Sequence, residues 1–223
     1  MRKIVPIDTN RIINGKYWFD NPQSARYLWS PNGYGLKKGE AYFQNIWVLF
    51  NQVSVGITNS FSVGAGMVPL FLFGASYSPV WITPKFSVPL SNDRVNFGFG
   101  ALLGTVIGVS HSDFDLVYGI TTIGTRDKNV SLGLGYGYAG GRWGNTPTIS
   151  VSGLLRIGAR GYLLTENYYL DTGDHFQILG SLGARLIIGK IGLDFGGVLP
   201  VTLNQADIII IPWLGLTVPF GKK

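Results

Sequence analysis

The residue types needed for nucleophilic hydrolysis stand together once in this chain, at Ser110, His111, Ser112 and Asp113. A serine nucleophile needs a base to take its proton, and the base needs an acceptor that orients it. On a strand, however, neighbouring side chains point to opposite faces, so adjacency in sequence does not assemble a triad. A polar loop is the simpler interpretation of this cluster, and hydrolysis is the alternative.

Cofactor chemistry finds little support in the residue types. The chain has two histidines and no cysteine, so we expect neither a thiolate metal site nor a disulfide framework. The runs GLGYG and FGFGAL contain the glycines of a phosphate-binding loop, but they lie within predicted strands rather than before helices. We therefore expect no metal and no cofactor.

The composition is that of a membrane protein without an obvious membrane helix. Hydrophobic residues make up 46% of the chain and charged residues 13%, about half the charged share of a soluble domain. Mean hydropathy is +0.23. Yet no uninterrupted apolar run of about 18 residues occurs, so a transmembrane helix is not predicted. The apolar residues are instead dispersed at every second position.

The clearest alternation covers residues 129–158. In its first half one parity is apolar and ends in aromatics, at Val130, Leu132, Leu134, Tyr136 and Tyr138. After the break GGRWGN the apolar parity resumes at Ile149, Val151, Leu155 and Ile157, whereas Leu154 falls on the opposite, small or polar parity. A period of two indicates strands, and polar-in, apolar-out strands with tyrosines at the rim are typical of a transmembrane β-barrel.

Similar alternation recurs through the chain and bounds the strand count. We find about eleven extended segments, mostly of about 9–13 residues, the length that a tilted strand needs to cross a bilayer. Bacterial barrels have an even number of strands, so the fold class is an all-β, antiparallel up-and-down transmembrane barrel of about twelve strands, with ten possible. Residues 41–57 are predicted as one strand, and an added N-terminal strand would complete twelve.

Charged residues interrupt the small and polar parity of several predicted strands. If that parity faces the lumen, the luminal charges are Lys85, Arg94, Asp113, Asp115, Arg156, Arg185 and Asp194, with Lys190 at a rim turn. They could form a charged constriction that selects solutes, or salt bridges that fill a narrow barrel. Glu166 is predicted at the lumen or rim, because a carboxylate facing lipid is costly, with Arg156 or Arg160 as its partner.

The N-terminal part of the chain has a different character. Residues 1–38 show little periodicity and are predicted to be mostly irregular, with a possible short strand at 16–20 or 25–29, and residues 39–223 form the barrel. The start MRKIVPIDTNRIINGKYW has no apolar core of a secretory signal peptide. An outer-membrane location would therefore require that such a signal has been removed.

The net charge of +6 does not indicate a nucleic-acid partner, because lysine and arginine are scattered rather than clustered. We expect the lipid bilayer and acidic lipopolysaccharide to be the partners, with other outer-membrane proteins possible and no nucleic acid.

Four stretches carry a resemblance to a known group of proteins. Residues 21–27 read N-P-x-x-x-R-Y, residues 36–45 read L-K-K-G-E-x-Y-x-Q-N, and residues 56–66 fit a hairpin of the form G-[IV]-T-[DN]-x-F-S-[IV]-G-x-G. With residues 156–168, these resemble uncharacterised outer-membrane β-barrel proteins of the Bacteroidetes type. The resemblance implies a barrel and a bacterial outer-membrane address. It brings no established activity, so no catalytic residue is transferred.

Three functions remain open from the sequence. The leading one is a small pore or a structural or accessory subunit of an outer-membrane assembly. The second is a membrane-embedded lipid-modifying hydrolase that uses the 110–113 cluster. The third is a soluble β-barrel that binds an apolar ligand, which requires the apolar parity to face inward.

Overall fold

Twelve antiparallel strands close into a barrel in the computed structural model, which describes residues 9–91, 94–171, 176–202 and 209–221. The strands are β1 Glu40–Ile46, β2 Phe50–Gly56, β3 Phe61–Met67, β4 Ser78–Ser91, β5 Val95–Ile107, β6 Phe114–Thr125, β7 Lys128–Ala139, β8 Thr148–Arg156, β9 Gly161–Asp171, β10 Phe176–Ile188, β11 Ile191–Thr202 and β12 Ile211–Gly221. The predicted up-and-down barrel of about twelve strands is confirmed.

Each strand pairs with the strands before and after it in the chain, and the seam joins the last strand to the first. Its register runs from Gly215 opposite Ile46 to Gly221 opposite Glu40. Because the number of strands is even, β1 begins and β12 ends at the same end of the barrel, which we call the proximal end. The opposite end is the distal end.

The outer surface of the barrel is apolar, as the alternation predicts. In β7 the outward side chains are Val130, Leu132, Leu134 and Tyr136, and each is between 44% and 59% exposed. The inward parity of the same strand is buried and consists of Asn129, Ser131, Gly133 and Gly135. A continuous apolar belt of this kind is unfavourable in water and is typical of the lipid-facing surface of transmembrane barrels. This orientation contradicts the alternative of a soluble barrel with an apolar interior.

The twelfth strand arises where one long strand was predicted. Residues 41–57 form two strands, β1 and β2, joined by a turn at residues 47–49. Trp47 and Val48 have positive φ angles of 50° and 66°, a conformation rarely adopted by bulky or β-branched residues. The Asn45 side chain donates to the Val48 carbonyl at 3.0 Å, and the Trp47 indole donates to the Pro212 carbonyl at 2.7 Å. These two bonds stabilise a turn that contains no glycine.

Short elements complete the described chain. Near the N-terminus a 3-10 turn at Thr9–Arg11 precedes a small hairpin of Ile12–Ile13 with Lys16–Tyr17. At the distal end lie a second 3-10 turn, Leu70–Phe73, and the pair Arg142–Trp143, which folds back on β7. None of the described residues belongs to a helix long and apolar enough to cross a membrane.

Residues 18–38, which we call the plug, fill the barrel from its proximal end. The plug rises to an apex at residues 28–30 and returns to the proximal end, where it continues into β1. The main hydrophobic core lies inside the barrel and combines plug and wall residues: Tyr27, Leu28, Ile46, Leu154, Tyr162, Leu164, Ile187 and Trp213. Leu154, which the alternation placed on the polar parity, packs inside this core.

Candidate functional site

A carboxylate from the barrel wall binds the apex of the plug. Glu166 on β9 is 3% exposed. Its two oxygens accept the backbone N–H groups of Leu28, Trp29 and Ser30, each at 3.0 Å. The hydroxyl of Tyr168 donates to the same carboxylate at 2.5 Å. Hydrogen bonds to an ionised acceptor are stronger than neutral ones, so these four donors favour the charged form of this buried carboxylate.

A guanidinium binds the rising half of the plug. Arg185 on β10 pairs with Asp194 on β11, with nitrogen–oxygen distances of 2.6 and 2.8 Å. Its remaining donors reach the carbonyls of Gln23 and Tyr27 at 3.0 and 2.7 Å, and the side-chain oxygens of Asn21 and Gln23 at 3.0 Å. The rigid donor fork of arginine is therefore shared between a wall carboxylate and the plug.

Hydroxyl groups of β6 and β7 bind both halves of the plug. The Tyr27 phenol donates to Asn129 Oδ1 at 2.6 Å and lies 2.6 Å from Ser131 Oγ. The backbone N–H of Gly33 donates to Thr122 Oγ1 at 2.6 Å. The hydroxyls of Thr122 and Ser131 form a hydrogen bond of 2.5 Å. Burial raises the pKa of the Tyr27 phenol, which keeps its proton available as a donor.

Two cations bind the returning half of the plug. Lys85 on β4 donates from Nζ to the Tyr34 carbonyl at 2.5 Å. Arg126, in the turn between β6 and β7, donates to Ser24 Oγ at 2.9 Å and to the Gly35 carbonyl at 3.1 Å. Its guanidinium also lies over the Tyr34 ring, 4.8 Å from the centroid. Both cations therefore bind plug carbonyls rather than carboxylates.

The predicted partners of Glu166 lie at the proximal rim instead. Arg156 pairs with Asp127 at 3.0 Å, donates to the Phe19 carbonyl at 2.7 Å and lies over the Trp18 ring at 4.6 Å. Arg160 lies over the Phe19 ring at 4.7 Å. The expected pairing of Glu166 with an arginine is wrong, because the plug backbone takes the place of the cation. The two arginines fix the entry of the plug.

Two further predicted luminal charges lie in proximal turns. Arg94 is exposed in the turn before β5, where its carbonyl accepts the N–H of Gly124 at 2.8 Å. Lys190 is exposed in the hairpin between β10 and β11, at the rim position that the sequence indicates. Within the described residues, neither side chain forms a hydrogen bond or an ion pair with the plug. Of the eight predicted charges, the structure brings Lys85, Arg156, Arg185 and Asp194 together around the plug.

Asp113 and Asp115 lie at the distal end and do not enter the lumen. In β6, Val117 is 40% exposed whereas Ile120 is 3% exposed, so the odd-numbered parity faces outward. Asp115 shares this outward parity, and its Oδ1 accepts the backbone N–H of Gly104 at 3.2 Å. Asp113 is exposed in the connection before β6. Both parities of β6 carry large apolar residues, so alternation does not identify its inward face, and the predicted luminal positions of Asp113 and Asp115 are wrong.

The 110–113 cluster forms a distal connection without the geometry of a triad. Ser112 Oγ accepts the Val106 N–H at 3.0 Å and lies within 3.1 Å of the Val106 and Val109 carbonyls. His111 is exposed with a φ of 54°. Within the described ranges no hydrogen bond joins His111 to Ser110, Ser112 or Asp113. Ser112 stabilises the turn, so its hydroxyl is already engaged.

On the distal side of the apex the lumen is narrow and aromatic. The Trp29 ring lies 5.5 Å from Phe50 and 6.4 Å from Trp213, both at edge-to-face angles. Beside it a cavity of about 90 Å³ is lined by Arg26, Trp29, Leu116, Tyr118, Ser150 and Tyr168. A cavity of this size holds a few water molecules. Among the described residues, the plug and this aromatic cluster occupy the lumen.

The comparisons with known proteins agree with this architecture. A solved structure described as a KdgM porin is similar, with a TM-score of 0.58 over 80% of this chain and 97% of that chain, at 10% sequence identity. At that identity the likeness establishes the barrel fold. No protein-family model matches the chain, and no curated protein matches it.

Proposed function

We propose that this protein is a bacterial outer-membrane β-barrel whose lumen is closed by its own N-terminal segment. In this state it serves as a structural or accessory barrel rather than as an open pore. The apolar outer belt and the likeness to a porin support the membrane address. Lipopolysaccharide, other outer-membrane proteins as partners and an origin among Bacteroidetes-type barrels stay predictions.

The observation that carries the proposal is the charge-assisted attachment of the plug to the wall. Glu166 and Arg185 lie on adjacent strands, are 3% and 1% exposed, and together bind the backbone of five plug residues. Charges are buried only where such bonds compensate the loss of hydration. A segment held by buried, charge-assisted hydrogen bonds is an integral part of the barrel interior. It differs in this from a loop that lies loosely in an open pore.

Single-channel conductance in a planar bilayer tests the proposal. The full chain should fold into a heat-modifiable barrel without stable unitary conductance. A variant that begins at Gly39, and so lacks the plug, should conduct if it folds. Steady conductance from the full chain, with an ion selectivity that changes when Lys85 or Arg185 is neutralised, would contradict a closed lumen.

A gated pore is the second candidate function. The position at which the plug enters and leaves the lumen favours it. Both ends of the plug lie at the proximal end, so the plug can leave the lumen without threading through it. The similar structure is a porin, but a porin-like fold does not show conduction by this chain. A gated pore would show openings in the full chain under voltage or mild denaturant.

A reversible tether between plug and wall separates the two candidates. The chain has no cysteine, so the pair Gly35→Cys and Ser87→Cys is the only thiol pair introduced. A Cβ at Gly35 would lie 3.0 Å from Ser87 Cβ. Disulfides have Cβ–Cβ separations of about 3.5–4.5 Å, so the oxidised pair requires plug and wall to move apart by roughly half an ångström. In a gated pore the oxidised pair abolishes the openings and reduction restores them. In a structural barrel neither the oxidised nor the reduced form conducts.

The hydrolase alternative has its own test, independent of the plug. Alanine substitutions at Ser110, His111 and Ser112 should leave any lipid turnover unchanged, because the structure does not join these residues into a catalytic unit. Loss of turnover in His111→Ala with folding intact would restore that alternative.

A further inference from the structure

A small cavity lies between the plug and the wall strands β2, β3 and β4, below the apex. It measures about 20 Å³, and the polar side chains of its lining are Arg26, Tyr42, Ser54, Ser62, Thr83, Lys85 and Tyr118. Space of this size holds one water molecule or one monatomic ion. Every polar group in this set is a cation or a hydroxyl, and all of them can donate a hydrogen bond.

Two cations, Lys85 and Arg26, line this cavity, and no carboxylate is among its lining residues in the described chain. Lys85 is 7% exposed, and its ammonium donates to the Tyr34 carbonyl. Arg26 reaches the Trp29 carbonyl at 3.4 Å. Neither takes part in any ion pair found among the described residues. A buried cation that meets only neutral acceptors is costly, and a second cation on the same cavity increases that cost.

We propose that this cavity binds a single monovalent, monatomic anion such as chloride. The anion would accept hydrogen bonds from the Lys85 ammonium, the Arg26 guanidinium and the serine, threonine and tyrosine hydroxyls of the lining. A water molecule fits the same space but leaves both positive charges uncompensated. Oxyanions such as sulfate are too large for the cavity, and no carboxylate lines it to favour a metal cation.

The two charges come from different parts of the chain, which gives the anion a structural consequence. Arg26 belongs to the plug and Lys85 to the wall strand β4. An ion between them therefore binds plug to wall, and it stabilises the plugged barrel by binding this form and not the unfolded chain. Such an ion would stabilise the plug whether or not the barrel conducts.

Unfolding of the full chain at constant ionic strength provides the first test. We expect the midpoint of heat-modifiable gel mobility to rise by a few degrees, with saturation, as gluconate is replaced by chloride or bromide. The rise should vanish in Lys85→Met and persist in Lys190→Met, which removes an exposed lysine. Equal midpoints of the wild-type protein in all three salts would overturn the proposal.

Anomalous diffraction from crystals grown in bromide tests the site directly in the wild-type protein. This measurement does not depend on the folding of a variant. We expect a bromide peak inside the lumen, within hydrogen-bond reach of Lys85 Nζ and the Arg26 guanidinium. A water-like, non-anomalous peak at that place would overturn the proposal, as would bromide bound only on the outer surface.

Discussion

Glu166 has two carboxylate oxygens and meets four donors, three of them backbone N–H groups of residues 28–30. In Glu166→Gln the charge is lost, and the amide NH₂ faces donors rather than acceptors. We expect the apex to lose roughly 2 kcal/mol of local stability, or roughly thirty-fold more opening. The rate of trypsin cleavage after Arg26, followed by mass spectrometry, measures how often the apex opens.

The matched control is Glu40→Gln at the proximal end of β1. Among the described residues Glu40 accepts the N–H of Lys37 at 2.9 Å, in a solvent-exposed hydrogen bond. Its substitution should leave cleavage after Arg26 unchanged. Equal cleavage rates in both variants would show that Glu166 does not hold the apex.

Arg185 compensates both a buried carboxylate and the carbonyls of the plug. Arg185→Met leaves Asp194 charged and unpaired at 2% exposure, so we expect a loss of about 3–5 kcal/mol in the free energy of unfolding. Adding Asp194→Asn removes the orphaned charge and should recover about 1–3 kcal/mol. Denaturant unfolding measures both. Arg94→Met, at an exposed turn, should stay within about 0.5 kcal/mol of wild type.

At the scale of elements, the inner face of β11 is shaped to admit the plug. A Cβ at Gly192 would lie 2.8 Å from Pro22 Cγ, so no side chain fits there while the plug is in place. Valine favours strands, so Gly192→Val should keep the barrel folded but displace the entering half of the plug. We expect faster trypsin cleavage after Arg26 with heat-modifiability retained.

Gly137→Val in β7 provides the control for that substitution. A Cβ there meets its nearest neighbour, the Asp115 carbonyl, at 3.9 Å, which is ordinary contact. Cleavage after Arg26 should stay at the wild-type rate. If both valine variants are cleaved alike, the effect comes from the strand and not from the plug.

The outward face of a strand could be predicted from the sequence where only one parity is apolar. It could not be predicted where both parities carry large apolar residues. In β7 the residues Leu132 and Leu134 oppose glycine and serine, so the outward face is unambiguous. In β6 Tyr118 and Ile120 face the plug, while Val117 faces lipid. A lumen filled by protein accepts apolar side chains on both faces of its wall. The rule that small and polar residues face inward therefore fails beside the plug.

The plug itself left no local signal in the sequence. Leu28 meets Glu166 across 138 positions, and Gln23 meets Arg185 across 162. No periodicity connects such partners, because the plug is irregular and each contact is made once. The sequence does not predict the turn at residues 47–49, for a related reason. Trp47 and Val48 adopt positive φ through long-range support from Pro212, without the glycine or asparagine that usually marks such a turn.

At the scale of the whole molecule, the apolar belt predicts a depth-dependent response to charge. Leu132 lies in the middle of β7 and is 57% exposed on the outer face. Leu132→Arg should cost about 2–4 kcal/mol of stability in a bilayer, whereas Ile123→Arg near the proximal end should cost about 0–1 kcal/mol. Urea unfolding in lipid vesicles measures the difference. Equal costs would place the belt elsewhere on the barrel.

The wall of the barrel is uneven in height, which has a consequence for the surrounding lipid. β1, β2 and β3 have seven residues each, whereas β4, β5 and β10 have 13 or 14. At the usual rise and tilt, seven residues span about 18 Å, against an apolar band of about 25 Å in such barrels. The exposed Phe71 and Leu72 that follow β3 restore part of this height.

Hydrophobic mismatch is therefore concentrated on one side of the molecule. Acyl chains beside β1–β3 must shorten or tilt, whereas those around the taller strands need no adjustment. Two such barrels that meet through their short sides share one compressed patch of bilayer and relieve part of its elastic cost. The unequal strands thus give the barrel a preferred direction in the plane of the membrane, set by lipid thickness rather than by contact between side chains.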